Sequence, residues 1–187
     1  MASEATKRHD RVVFLDRDGV INKPPPVGSW VLRWEDFEFA DGALAALRRL
    51  RERGFVAVVV TNQSCIGRGL VSADEIASIN ARMTEAVAAS GGELAGVYLC
   101  PHKTDDGCPC RKPRPGLIDL ASRDLGLNPA RAFLVGDTRR DIEAGLARAC
   151  TTILVPGPED YGTDAPRPHY TAAGLREAAE LMIRLVE

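Results

Sequence analysis

Aromatic residues make up only 5% of this 187-residue chain, and positive charge is not in excess: 24 Lys and Arg stand against 26 Asp and Glu, a formal net charge of −2. A basic stripe interleaved with aromatics, the footprint of a nucleic-acid surface, is therefore missing, and no global field favours polyanions. Long apolar runs are missing too. The longest fall far short of the ~20 residues that span a bilayer, so no membrane partner is expected. Residues 1–10 are polar and of mixed charge, without the apolar stretch of a secretory signal, and read as a flexible tail on a cytoplasmic protein. Five cysteines, an odd number, do not suit a disulfide framework. No internal repeat, second domain or interface pattern stands out, so residues 11–187 read as one domain, monomeric by default. With 45% hydrophobic residues, the chain is long enough to bury a substantial core.

What is present is an alternation of short β-type runs and amphipathic helices. Val12–Leu15 is an apolar strand. Residues 43–53 carry Leu44, Leu47 and Leu50 at helical spacing, with Asp41 as the expected N-cap and Gly54 as the stop. A strand over 55–60 follows. Ser72 and Glu75 form a capping box that opens a helix reaching about residue 90. Further strands are expected at 97–99, 132–135 and 151–155, with helices from Pro115 to near Gly126, over 139–148 and over 172–186. Strands alternating with helices predict an α/β fold, a three-layer, Rossmann-like parallel sheet covered on both faces.

Chemistry-bearing residues recur where the apolar strands stop. Asp16 and Asp18 follow the first strand. Side chains two apart on a strand point the same way, and two like charges held that close call for a cation or a shared proton. One carboxylate could then serve as nucleophile and ligand while the other carries protons, which suits phosphoryl transfer. An ordinary solvated turn would use the same residues. Thr61-Asn62-Gln63-Ser64 ends the second strand and Gly136-Asp137-Thr138-Arg139-Arg140-Asp141 ends a later one, with Arg111-Lys112-Pro113 between them. In open α/β sheets that edge is where ligands bind.

A separate cluster reads as a metal centre. Cys100, His102, Cys108 and Cys110 offer three thiolates and an imidazole within eleven positions. That is a closed tetrahedral set for zinc, structural and not catalytic, although reduced, unliganded loop cysteines would give the same spacing. Cys65 and Cys150 stand apart as buried fillers. Trp30 and Trp34 read as core packing, although Trp30 lies in the right loop for contact with a sugar; Arg139 and Arg140 read as a solvated helix face, and His9 and His169 as surface residues.

The ordered set Asp16-x-Asp18, Thr61, Lys112 and Gly136-Asp137-x-x-x-Asp141 resembles the signature motifs of the haloacid dehalogenase-like phosphatases over roughly residues 12–156. The pairing of C-x-H with C-x-C ahead of the lysine is similar to the branch containing the heptose-bisphosphate phosphatases and the histidinol-phosphatases. The resemblance implies a sugar phosphate as small-molecule substrate and no separate cap domain, because no long insertion follows the first or second motif. It implies catalytic roles for Asp16, Asp18, Thr61 and Lys112, and Mg²⁺ held by Asp16, Asp137 and the Asp18 backbone carbonyl. Asp141 would orient Lys112 or a metal-bound water. Substrate contacts would come from Asn62, Gln63, Ser64, Arg111 and Thr138, with Arg111 gripping a distal group such as a second phosphate. Histidinol phosphate is the alternative substrate, and a zinc-stabilised binding module without catalysis is the alternative of a different class. Cys65, Thr138 and the Pro24-Pro25-Pro26 to Trp30 loop depart from the branch's usual residues.

Overall fold

The computed structural model describes residues 11–157 and 161–187; the expected tail at 1–10, with His9, lies outside the described residues. Six strands follow in chain order: β1 (Val12–Leu15), β2 (Val56–Asn62), β3 (Gly96–Cys100), β4 (Ala132–Gly136), β5 (Thr151–Leu154) and β6 (Tyr170–Thr171). They form one sheet in the order β3-β2-β1-β4-β5-β6, and every neighbouring pair is parallel. Five helices connect or cover them: α1 (Ala43–Glu52), α2 (Ala73–Ala89), α3 (Gly116–Leu125), α4 (Arg139–Leu146) and α5 (Leu175–Val186).

Strand periodicity divides the core into two layers. Val13 and Leu15 point to one face, where they meet Leu47 and Leu50 of α1, Ile76 and Met83 of α2, and Ala178 and Met182 of α5. Val12 and Phe14 point to the other, against Leu117, Ile118 and Ala121 of α3 and Ala144 of α4. All four β1 residues are therefore buried, as a central parallel strand requires. From β1 the chain runs outward through β2 and β3, then returns to place β4 on β1's other side. At such a reversal the loops leaving neighbouring strands diverge and open a crevice at their carboxyl ends.

Several boundaries differ from the sequence reading, and two of the differences have a clear cause. The N-cap of α1 is Gly42 at φ 76°, not Asp41, because the turn closing from Ala43 N–H to the Ala40 carbonyl needs a left-handed residue just before the helix. The last helix begins at Leu175, not at 172, because Tyr170–Thr171 pairs with β5 and the Ala172 N–H still bonds the Leu154 carbonyl. No apolar periodicity marks a strand of two residues. The Ser72–Glu75 capping box forms as read, with the Glu75 N–H donating to Ser72 Oγ at 3.1 Å. No described helix is long and apolar enough to cross a membrane.

Leu47 is fully buried in the α1 layer. Leu47→Ala should lower unfolding free energy by about 2–5 kcal/mol, and Ser72→Ala by about 1 kcal/mol. Urea titration followed by circular dichroism would read both, and a Leu47→Ala loss under ~1 kcal/mol would contradict the packing described.

Candidate active site

β1 ends at Leu15, and Asp16 is the next residue, held by its N–H on the Val135 carbonyl at 3.0 Å. The chain then turns tightly: the Ile21 and Asn22 N–H groups both donate to the Arg17 carbonyl, at 2.9 and 3.1 Å. Gly19 makes this turn possible. Its φ is 87°, and a Cβ there would lie 2.0 Å from Asp137 Oδ2. The turn therefore packs its backbone directly against the carboxylate that follows β4, bringing two strand ends into one site.

Lys112 reaches the same point from the loop after β3. Its Nζ lies 2.9 Å from Asp16 Oδ1 and 2.5 Å from Asp141 Oδ1, and donates to the Val60 carbonyl at 2.7 Å. Asn62, at the end of β2, fixes the lysine's backbone from both sides: Oδ1 accepts from Lys112 N–H and Nδ2 donates to Lys112 O, each at 3.1 Å. Asp141 is oriented in turn by Thr138, whose N–H and Oγ1 donate to Oδ2 at 3.0 and 2.6 Å and cap α4.

Burial sets the electrostatics. It pushes the Asp16 carboxyl up to about 6; the Lys112 ammonium opposes the rise, while Asp141 and Asp18 add to it. It pushes Asp137 up to about 8, with Asp16 and Asp141 adding. Burial disfavours the charged form of Lys112, but Asp141 and Asp16 outweigh it and hold the ammonium above its ordinary value. Oxygen atoms of Asp16, Asp137 and Asp141 lie within 4.8 Å of one another. Hard oxygen donors gathered this closely are a fitting set for a small divalent cation.

Asp16, Asp18, Thr61, Asn62, Ser64, Arg111, Lys112, Asp137, Thr138 and Asp141 all line one cavity of about 250 Å³. Gln63, expected at the substrate, does not. It is fully buried beneath the cavity, where Nε2 donates to Asp18 Oδ2 at 2.9 Å and to Thr61 Oγ1 at 3.1 Å. Gln63 is the first residue past β2, and its amide turns inward onto Asp18 and Thr61. Arg111 lines the cavity while its Nη1 donates to the His102 carbonyl at 3.1 Å.

Arg140 is exposed, as a solvated helix face would be, but sits at the cavity edge; Arg139 pairs with Glu143 and Asp164. Trp34 stacks on Phe37 in the core at 5.0 Å, whereas Trp30 lines the cavity with Arg68 over its ring at 5.4 Å. The sequence reading missed Arg17 and Asn22, which donate to Asp18, and Asn80, which accepts from Arg17. An arginine flanked by the buried runs Val12–Leu15 and Val20-Ile21 was the available signal.

The cysteine cluster forms one knot. Cys100 Sγ lies 3.5 Å from Cys108 Sγ and 3.2 Å from Cys110 Sγ, and His102 Nδ1 lies 3.3 Å from Cys110 Sγ. A regular tetrahedron with metal–sulfur bonds of about 2.3 Å has edges near ~3.8 Å, so the set is close to what a zinc ion needs. Burial pushes the Cys100 thiol up to about 12.

Residues 109–178 match the HAD-hydrolase-like family. The chain is 39% identical over 160 residues to D-glycero-alpha-D-manno-heptose-1,7-bisphosphate 7-phosphatase of Mycobacterium tuberculosis, covering 82% of this chain and 84% of the relative. It is 38% identical over 152 residues to D-glycero-beta-D-manno-heptose-1,7-bisphosphate 7-phosphatase of Pasteurella multocida, covering 78% and 81%. Among solved structures, D,D-heptose 1,7-bisphosphate phosphatase from B. bronchiseptica, complexed with magnesium and phosphate, superposes with a TM-score of 0.87 at 31% identity, covering 94% of this chain and 99% of that one. With its sheet order, its crowded carboxylates and these similarities, the chain belongs to the haloacid dehalogenase-like phosphatases, in the branch of the heptose-1,7-bisphosphate 7-phosphatases.

Proposed function

We propose that this phosphatase removes the C7 phosphate of D-glycero-D-manno-heptose 1,7-bisphosphate, in a Mg²⁺-dependent reaction through an aspartyl-phosphate, as a cytoplasmic monomer. The observation that carries the reading is Asp16 on the floor of the crevice, 2.9 Å from the Lys112 ammonium. An Asp16 carboxylate oxygen bonds to phosphorus as the bond to the sugar oxygen breaks, and Asp18 gives its proton to that leaving oxygen. Water then attacks phosphorus while the Asp18 carboxylate takes its proton. The bond to Asp16 breaks, and inorganic phosphate leaves.

Thr61 and Lys112 face the equatorial oxygens, where most of the developing charge lies. Asp16, Asp137 and the Asp18 carbonyl would hold Mg²⁺, which when bound supplies further charge neutralisation at the phosphate. Asp141 orients the Lys112 ammonium. Asn62, Ser64, Arg111 and Thr138 serve the substrate, and Arg111, which lines the cavity, would grip a distal group such as a second phosphate. Cys100, His102, Cys108 and Cys110 hold a structural Zn²⁺, which fixes the loop delivering Arg111 and Lys112.

Phosphate release with Mg²⁺ from both anomers of heptose 1,7-bisphosphate and from histidinol phosphate tests the assignment. A heptose preference above about tenfold supports it, since that is about 1.4 kcal/mol of transition-state discrimination. A preference for histidinol phosphate would leave the chemistry and reassign the substrate, and no release from any of them would favour the binding module. Asp16→Asn should lower turnover about 10³-fold or more with the fold retained; full activity in that variant would overturn the nucleophile assignment.

The raised carboxyls give a pH signature. Asp16 and Asp137 have folded values above the ordinary 3.8, so between pH 4 and 8 the folded state holds more protons than the unfolded chain. Stability without added divalent cation should therefore fall as pH rises through that window. Mg²⁺ should raise the melting temperature more at about pH 8 than at about pH 5.5, because fewer protons then compete for Asp16 and Asp137. Scanning fluorimetry with and without Mg²⁺ reads this, and Asp137→Asn should shrink the difference.

Cys108→Ala should reduce bound zinc from about one per chain to near zero and lower the melting temperature, with activity lost as a consequence. Metal analysis beside a thermal melt checks it. A zinc-free variant of unchanged stability would sink the structural role.

A further inference from the structure

Arg17 sits between the two motif carboxylates in sequence and touches both. Its backbone N–H donates to Asp16 Oδ1 at 2.8 Å. Its guanidinium forks onto the Asp18 carboxylate, with Nε 3.1 Å and Nη2 3.0 Å from Oδ1 and Nη2 3.2 Å from Oδ2. The side chain is fully buried, the largest such residue among those described. A buried guanidinium is costly unless its donors are satisfied. Here Nη2 also donates to Gln63 Oε1 at 3.2 Å, Nη1 donates to Asn80 Oδ1 of α2 at 3.1 Å, and the ring of Phe37 lies 6.0 Å from the guanidinium carbon. Gln63 and Asn22 complete the frame, each donating to Asp18 at 2.9 Å.

We infer that Arg17, anchored through Asn80 to helix α2, is a positioning residue that holds the Asp18 carboxyl in register for proton transfer to the leaving oxygen. The inference deepens the proposed function and rests on the acid role given there to Asp18. The residue does not face the cavity: Asp18 and Thr61 line it, while Arg17, Gln63 and Asn80 do not. Its fork shape matters more than its charge. A planar guanidinium grips both oxygens of a carboxylate and can bond Asn80 at the same time, whereas an ammonium is a single point donor. Proton transfer depends steeply on this geometry, because a misplaced acid leaves the departing oxygen as an alkoxide.

Leaving-group dependence separates this role from a merely structural one. An aryl phosphate such as 4-nitrophenyl phosphate expels a stabilised phenolate and gains little from an acid. An alkyl phosphate, a sugar phosphate included, depends on it. The quantity to follow is kcat/KM, which ends at the step that expels the leaving group. Arg17→Lys should lower kcat/KM for alkyl phosphates by about a hundredfold and Asn80→Ala by about tenfold, the scale of general-acid assistance. KM should stay within about twofold, and the aryl ester should lose less than about threefold. Partial unfolding cannot imitate this, because a smaller active fraction lowers both classes equally.

The measurement is a plot of log kcat/KM against leaving-group pKa, for wild type and both variants. A steeper slope in the variants supports the inference. Equal losses on alkyl and aryl esters, or no loss on either, overturn it while the wild-type activity stands. With heptose 1,7-bisphosphate included among the alkyl esters, a wild type that hydrolyses none of the series would remove the proposed function, and this inference with it.

Discussion

Negative charge crowded at the end of β1 is the constraint around which the molecule is arranged. Asp16, Asp18, Asp137 and Asp141 meet there, and the buried cations facing them among the described residues are Arg17 and Lys112. Burial first, and then like charges at such distances, raise proton affinity there, and Asp16 and Asp137 show it. Each cation is assigned to particular carboxylates: Arg17 to Asp18, and Lys112 to Asp16 and Asp141. Asp137 has neither as a direct partner, which accords with the metal role proposed for it.

The sheet exists, in this sense, to bring those groups together. Parallel register sets the ends of β1, β2 and β4 side by side: Leu15 opposite Val59 and Val135, with Asp16, Thr61 and Asp137 beyond. The apolar layers on both faces make those positions rigid, and rigidity spares the site the cost of ordering its groups when phosphate arrives. Lys112 comes from the long loop after β3, well beyond the end of its strand. It is held by Asn62 on one side and by the segment after the cysteine knot on the other.

The elements that carry most apolar residues were legible in the sequence. β1 is four consecutive apolar residues, α2 has a capping box and a periodic face, and both formed where read. β6 was not legible, because two residues contain no period and their pairing depends on β5 being in place. The residues gathered at the cavity were visible as polar breaks after apolar runs, a local signal. Gln63 misled for the same reason, since local position cannot say which way a side chain turns after a strand. Asn80 was invisible for a different one. It lies 63 residues from Arg17 on a helix whose polar positions mostly face solvent, and only tertiary packing brings the two together.

The cavity floor and the cavity walls come from different parts of the chain. Strand ends and helix starts build the floor, whereas Pro24, Val27, Trp30 and Arg68 on the walls belong to connecting loops outside the buried sheet. With no cap domain among the described residues, those loops are the surfaces available to the outer part of a ligand. Pro24, Val27 and Arg68 lie outside the β-pairing and both core layers, whereas Trp30 also packs against the α1 layer. Relatives named for opposite anomers, at 39% and 38% identity to this chain, are what such a division of labour would be expected to leave behind.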